Sequence, residues 1–230
     1  TMLLNFISVF IAYLIAIPLG IFSAVKQNSL FERISTFIVF MLYSLPSFWV
    51  GIMLIILLAG GDFWDVFPYA GLHSTYLVGM SSWEIFLDYL WHLVLPVTVI
   101  TYGAFAYLSR QMRTSMLEII RQDYIRTARA KGLSEKVVIL KHALRNSLIP
   151  IITILAFFLP MMISGSVVVE TIFSIPGMGS LAFEAIIARD YSIVMAVFTI
   201  SAVLTLIGIL IADLMYSLVD PRITFSKSQS

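Results

Sequence analysis

An all-α bundle of membrane-spanning helices is the fold class this 230-residue chain predicts, on three observations. The first is composition: 60% of the residues are hydrophobic and 12% charged, with a mean hydropathy of +0.99. That much apolar surface cannot be hidden in a soluble core, so the bilayer must be its solvent. The second is that five apolar stretches are long enough to cross about 30 Å of hydrocarbon. Helices satisfy their own backbone amides in lipid, whereas isolated strands do not. The third is that the charge is gathered into segments rather than spread evenly.

In order, the spans fall near residues 2–25, 34–58, 89–109, 148–168 and 192–216. The chain opens on Thr1 and enters an apolar span at once, without the basic region and cleavage site of a signal peptide. This reads as a fragment lacking its natural start. Lys26 and Arg33 flank the first connection, whereas residues 59–88 carry Asp62, Asp65, Glu84 and Asp88 and no Lys or Arg. The first connection is therefore cytoplasmic and the second external. By alternation residues 110–145 are cytoplasmic, the connection with Glu170, Glu184, Arg189 and Asp190 is external, and the tail with Arg222 and Lys227 is internal. Thr1 is then outside, as removal of an upstream span would leave it.

The outer connection holds Phe63, Trp64, Phe67, Tyr69, Tyr76 and Trp83, which suits an interfacial aromatic belt better than a stacking site for cargo. The later outer connection contains a turn, Ile175-Pro-Gly-Met-Gly179, and Ser180 as a possible N-cap for a short helix through Ile187. It is read as a surface loop, a lid or a vestibule wall. Pro18, Gly20, Pro46, Gly51, Pro96, Gly103, Pro160 and Gly165 lie inside spans, where they permit kinks and close helix approach.

Several chemistries are missing. Zero cysteines exclude disulfides and thiolate sites. His92 and Asp213 lie toward span ends, so the mid-depth ionisable groups that ion-coupled transport demands are not found. No phosphate-binding Gly-rich loop, His-Glu-x-x-His pair or Gly-x-Ser-x-Gly elbow occurs. His73, His92 and His142 are far apart, and no cofactor or metal is expected. The chain does not read as an enzyme, and any uphill work must draw energy from another subunit.

Residues 110–145 hold nine of the fourteen Lys and Arg against Glu118, Asp123 and Glu135. From Leu117 to Ala128, the positions Leu117, Ile120, Tyr124, Ile125 and Ala128 predict one amphipathic helix, with Arg121, Arg126 and Arg129 on its other faces. Gly132 stops it as a left-handed cap. Ser134 begins a second helix whose apolar line is Val137, Leu140, Leu144 and Leu148. Attraction to anionic lipid would explain the charge alone, and a generic amphipathic hairpin would need only a stop residue at Gly132. A knob fitted to a cytoplasmic motor would also explain the order: Ala128, Ala130 and Gly132 allow close approach, and Arg126, Arg129 and Lys131 pair with carboxylates.

Tyr124-Ile-Arg-Thr-Ala-Arg-Ala-Lys-Gly-Leu133, followed by His142-Ala-Leu-Arg-Asn-Ser-Leu-Ile-Pro150, closely resembles the permease subunits of ABC importers for dipeptides and oligopeptides. The likeness extends to Pro46-Ser-Phe-Trp49, His92-Leu-Val-Leu-Pro96, Glu170-Thr-Ile-Phe-Ser-Ile-Pro-Gly-Met-Gly179, Arg189-Asp-Tyr191 and Asp220-Pro-Arg-Ile223, nearly the whole chain. The broader importer signature is Glu-Ala-Ala, three residues, Gly, nine residues, Ile-x-Leu-Pro. Ala128, Gly132 and Leu144 match it, while Arg126, Thr127, His142 and Arg145 depart in the manner of the peptide-importer variant.

The resemblance implies a type I importer permease fold, six-spanned in its complete form, within a bacterial inner membrane. It implies a coupling loop within 110–149 that docks an ATPase through Asp123, Tyr124, Arg126, Thr127, Ala128, Arg129, Ala130, Lys131, Gly132 and Leu133. It implies as partners a second similar permease, two cytoplasmic ATPase subunits, an extracytoplasmic substrate-binding protein and the lipid bilayer, with no nucleic acid. Peptides are the expected cargo; nickel and oligosaccharides remain open, as does a stand-alone channel whose basic loop only senses lipid.

Overall fold

The computed structural model describes residues 1–61, 63–156, 162 and 165–219, and all regular structure among them is helical. The first span is one helix, α1 (Met2–Val25). The second span departs from expectation, because residues 34–58 do not form one rod. α2 (Leu30–Ser44) and α3 (Ser47–Leu58) meet at 96°. Pro46 disfavours helical geometry in the residue before it, and Leu45 is accordingly extended at φ −84°, ψ 128°. The Leu45 carbonyl, freed by the break, accepts a hydrogen bond from the Tyr102 hydroxyl at 2.9 Å. α2 also starts earlier than the apolar run, because the Ser29 hydroxyl caps it by accepting the Glu32 N–H.

The third span is α4 (Ser82–Ile120), 39 residues against the 21 expected for 89–109. A capping box sets its outer end: Ser81 Oγ accepts the Glu84 N–H and Glu84 Oε2 accepts the Ser81 N–H. Its inner end overshoots the apolar run, so residues 110–120 continue the helix and are not part of a hanging loop.

The chain then turns at Arg121–Gln122 into α5 (Asp123–Ala130), which breaks the single helix expected from Leu117 to Ala128. After Gly132 come α6 (Glu135–Val137), a π-helical turn (Val138–Ala143), α7 (Leu144–Ser147) and, across a 44° bend, α8 (Ile149–Ala156). The expected fourth span, 148–168, begins here; residues 157–161, 163 and 164 lie outside the described residues. α9 (Val167–Ile172) and α10 (Met178–Ile187) follow, and α11 (Tyr191–Val219) is the fifth span. Ser180 is not the N-cap of α10. It sits three residues in, and its hydroxyl both accepts the Gly177 N–H and donates to the Gly177 carbonyl. The tail residues Arg222 and Lys227 lie outside the described residues. By length and composition α1, α4 and α11 can cross a membrane, and five crossings result if each bent pair is one span.

α1 and α4 form the spine. Ser8, Ala12, Ala16, Gly20 and Ala24 recur every four residues along α1, and all are buried. Small side chains bring helix backbones close where lipid supplies no hydrophobic push between them. At Gly20 a Cβ would stand 2.6 Å from Met112 Cβ and 2.8 Å from the Ser109 carbonyl. Two apolar cores flank this contact. The outer one gathers Leu95, Val99, Val169, Phe173 and Ile175; the inner one gathers Met112, Met116, Ile125, Val138, Ile139 and Ile151.

At the outer end Glu170 is 3% exposed. Its Oε1 accepts the Thr1 hydroxyl at 3.0 Å and its Oε2 the Ser180 N–H at 2.7 Å, so the carboxylate sits at the positive end of α10. The expected turn 175–179 folds round this carboxylate, and at Gly177 a Cβ would overlap it. In the aromatic connection Phe67 packs against Trp91 in a tilted pair with centroids 4.5 Å apart, while Phe63, Trp64, Tyr69, Tyr76 and Trp83 are exposed.

Candidate functional site

The cytoplasmic corner is built on α5, whose eight residues are strongly two-sided. Ile125 is fully buried and Ala128 is 7% exposed, both in the inner core with Met116, Val138 and Ile139. Asp123, Tyr124, Arg126, Thr127, Arg129, Ala130, Lys131, Gly132 and Leu133 are exposed. The structure therefore divides the ten residues expected to dock: nine face solvent, while Ala128 faces the bundle and is not available for close approach by a partner. Gly132 ends the corner with φ +77°. A Cβ there would meet nothing within 4 Å, so backbone conformation alone calls for glycine.

The three cations expected to reach outward behave differently. Arg129 is committed within the chain: its Nη2 and Nε donate to Glu135 Oε1 and Oε2 at 2.7 and 3.1 Å. This two-pronged bond ties the end of α5 to the start of α6 across Gly132. It holds the Glu135 carboxyl below the usual carboxylate range and raises Arg129 above its own ordinary value. Arg126 reaches Asp123 only at 3.5 Å, with both side chains largely in solvent, a contact of little energetic weight. Lys131 has no carboxylate partner among the described residues. Arg126 and Lys131 are thus the cations left for another surface.

Two further fasteners were not foreseen. Asn146 Nδ2 donates to the Tyr124 hydroxyl at 2.7 Å, joining α5 to α7. Below it, Ser115 Oγ donates to the Ser147 carbonyl at 2.9 Å in a buried contact between α4 and α7. The expected apolar line of the second helix is also displaced. Val137 and Leu140 are exposed, whereas Leu144 and Leu148 pack against the inner core beside the buried Val138, Ile139, Ala143, Ser147 and Ile151. The buried residues Ile139, Ala143, Ser147 and Ile151 keep a four-residue spacing, one position before the expected line. Glu135 had a sequence clue, an acid just past a glycine cap that follows an arginine-bearing helix. Asn146 had none.

A bundle of apolar helices with a cation-bearing helical corner on its basic side is the architecture of a polytopic membrane protein. The chain belongs to the family of binding-protein-dependent transport system inner membrane components, whose pattern matches residues 16–225. It is 44% identical over 225 residues to an oligopeptide transport system permease protein of Bacillus subtilis, covering 98% of this chain and 69% of that protein. It is 40% identical over 230 residues to a peptidoglycan transport system permease protein of Agrobacterium fabrum, covering 97% and 62%. A dipeptide transport system permease protein of Escherichia coli K12 is 35% identical over 243 residues, covering 99% and 71%. The chain thus spans roughly two thirds of the length of these relatives. Among solved structures, the inward-facing methionine ABC transporter MetNI has the same fold, with a TM-score of 0.68 at 17% identity over 95% of this chain and 92% of that one.

Proposed function

We propose that this chain is the peptide-translocating permease subunit of an ATP-driven importer in a bacterial inner membrane, acting as one membrane domain. It pairs with a second similar permease, rests on two cytoplasmic ATPase subunits and receives cargo from an extracytoplasmic binding protein. The observation that carries the reading is α5 itself: a helix seated by Ile125 and Ala128 on the bundle, presenting Tyr124, Arg126, Thr127 and Lys131 outward beside the Gly132 turn. The peptide and oligopeptide names of the relatives support the cargo. Movement of the motor then displaces α5 and rocks the spans between inward and outward openings.

The test uses the complete transporter in vesicles. Gly132→Val forces a branched side chain into a left-handed conformation, at about 1–2 kcal/mol, and Arg126→Glu reverses a docking charge. Both should insert normally yet lose most ATP-dependent uptake of labelled peptide. Uptake that persists without the ATPase, or that is unchanged in both variants, would instead favour a channel. Parallel assays with sugars and nickel complexes decide the cargo.

A further inference from the structure

We propose that a cavity between α1, α2 and the inner half of α4 binds the phosphate headgroup of an anionic phospholipid from the cytoplasmic leaflet. The cavity has a volume of about 340 Å³, room for a headgroup and the first part of an acyl chain. Its wall is graded along the helices. Toward the cytoplasm it presents Arg110, Arg113, Thr114 and Thr36; toward the membrane centre it presents Leu19, Val39, Phe40 and Tyr43. All three helices carry the same gradient, which is the shape of an amphiphile. A water-filled path for cargo needs no such polarity.

The charges select an anion. Arg113 Nη2 pairs with Glu32 Oε1 at 2.5 Å, and the Thr36 hydroxyl donates to the same oxygen at 3.4 Å. Glu32 Oε1 is therefore occupied, and Glu32 is not among the residues that line the cavity. Arg113 Nε, by contrast, is buried without an acceptor among the described residues. Arg110 has no ion-pair partner among them either. Two guanidinium groups facing one carboxylate leave a net positive charge where the leaflet is negative. A phosphodiester in the cavity pairs with Arg110 and with the positive charge of Arg113 beside it. Phe37 and Phe40, 67% and 63% exposed, add apolar surface on α2 beside the cavity for the chain.

The purified, assembled transporter is incubated with phosphatidylglycerol or phosphatidylethanolamine and the retained lipid is measured by native mass spectrometry. A phosphatidylglycerol bearing a photoreactive group in its acyl chain maps the contact. Phosphatidylglycerol should be retained preferentially and should label α2. Arg110→Gln removes a charged hydrogen-bond donor and should lower retention about tenfold, with Arg110→Lys intermediate. Thr36→Phe leaves every charge in place, narrows the cavity and should displace the lipid as well. Equal retention of the two lipids, labelling away from α2, or wild-type retention in Arg110→Gln or Thr36→Phe would overturn the proposal. So would displacement of the lipid by peptide cargo, which would make the cavity a carboxylate site on the transport path.

Discussion

Arg129 shows how far a charge pattern carries at the scale of single residues. Counted with Arg126 and Lys131 it looks like one of three docking cations, yet Glu135 holds it in the corner's own framework. The consequence is a pH dependence with a definite sign. The Glu135 carboxyl is lowered in the folded chain chiefly by the side-chain hydrogen bond from Arg129. Its contribution is therefore complete above its unfolded value of about 4.3 and is lost as pH falls through the lower folded value. Both groups are substantially exposed, so the effect is small, roughly 0.2–1 kcal/mol. Glu135→Gln should speed amide exchange from Gly132 to Glu135 at neutral pH, and the difference from wild type should fade under acid conditions. Identical exchange at neutral pH would mean that the fork does not hold the corner. Gly132 was legible from sequence because a left-handed cap has a chemical signature. Glu170 was not, because what defines it is a buried carboxylate among backbone amides brought together by distant turns.

At the scale of elements, proline was visible everywhere but its outcome was not. Pro18 and Pro96 sit inside continuous helices, whereas Pro46 stands at a 96° break. A break within apolar surroundings persists only where the freed backbone groups find partners. At Leu45 that partner is the Tyr102 hydroxyl on α4, 57 residues away, a contact that no local reading supplies. Tyr102→Phe removes the donor and leaves the Leu45 carbonyl unpaired, a cost of about 1–3 kcal/mol. Thermal unfolding in detergent should register this as a lower midpoint, with the helix content of the folded protein retained. An unchanged midpoint would show that the carbonyl is satisfied from elsewhere. The overshoot of α4 has a similar origin: Arg110 and Arg113 end the hydropathy but not the helix, since Arg is a good helix former and Met112 and Met116 remain buried on the facing side.

For the whole molecule, these elements form a continuous chain of contacts from corner to spine among the described residues. Ile125 and Ala128 press α5 onto Val138 and Ile139, the π turn leads into α7, and Ser147 meets Ser115 on α4; α4 in turn carries α1 along the small-residue stripe. On the proposed function docking and transmission are separable, because Arg126 and Lys131 face solvent while Ile125 and Ala128 face inward. Ile125→Ala tests the second without touching the first. Truncating a fully buried Ile leaves a cavity worth about 2–5 kcal/mol, here between α5 and the bundle, while Arg126 and Lys131 remain in place. The variant should bind the ATPase subunits nearly as well as wild type, but stimulation of ATP hydrolysis by loaded binding protein should fall several-fold, with uptake falling alongside. Arg126→Glu should show the converse pattern, weaker ATPase binding with stimulation preserved in whatever complex survives. If Ile125→Ala instead releases the ATPase and leaves stimulation normal in the remainder, α5 acts as a docking surface only, and motion must enter the bundle by another path.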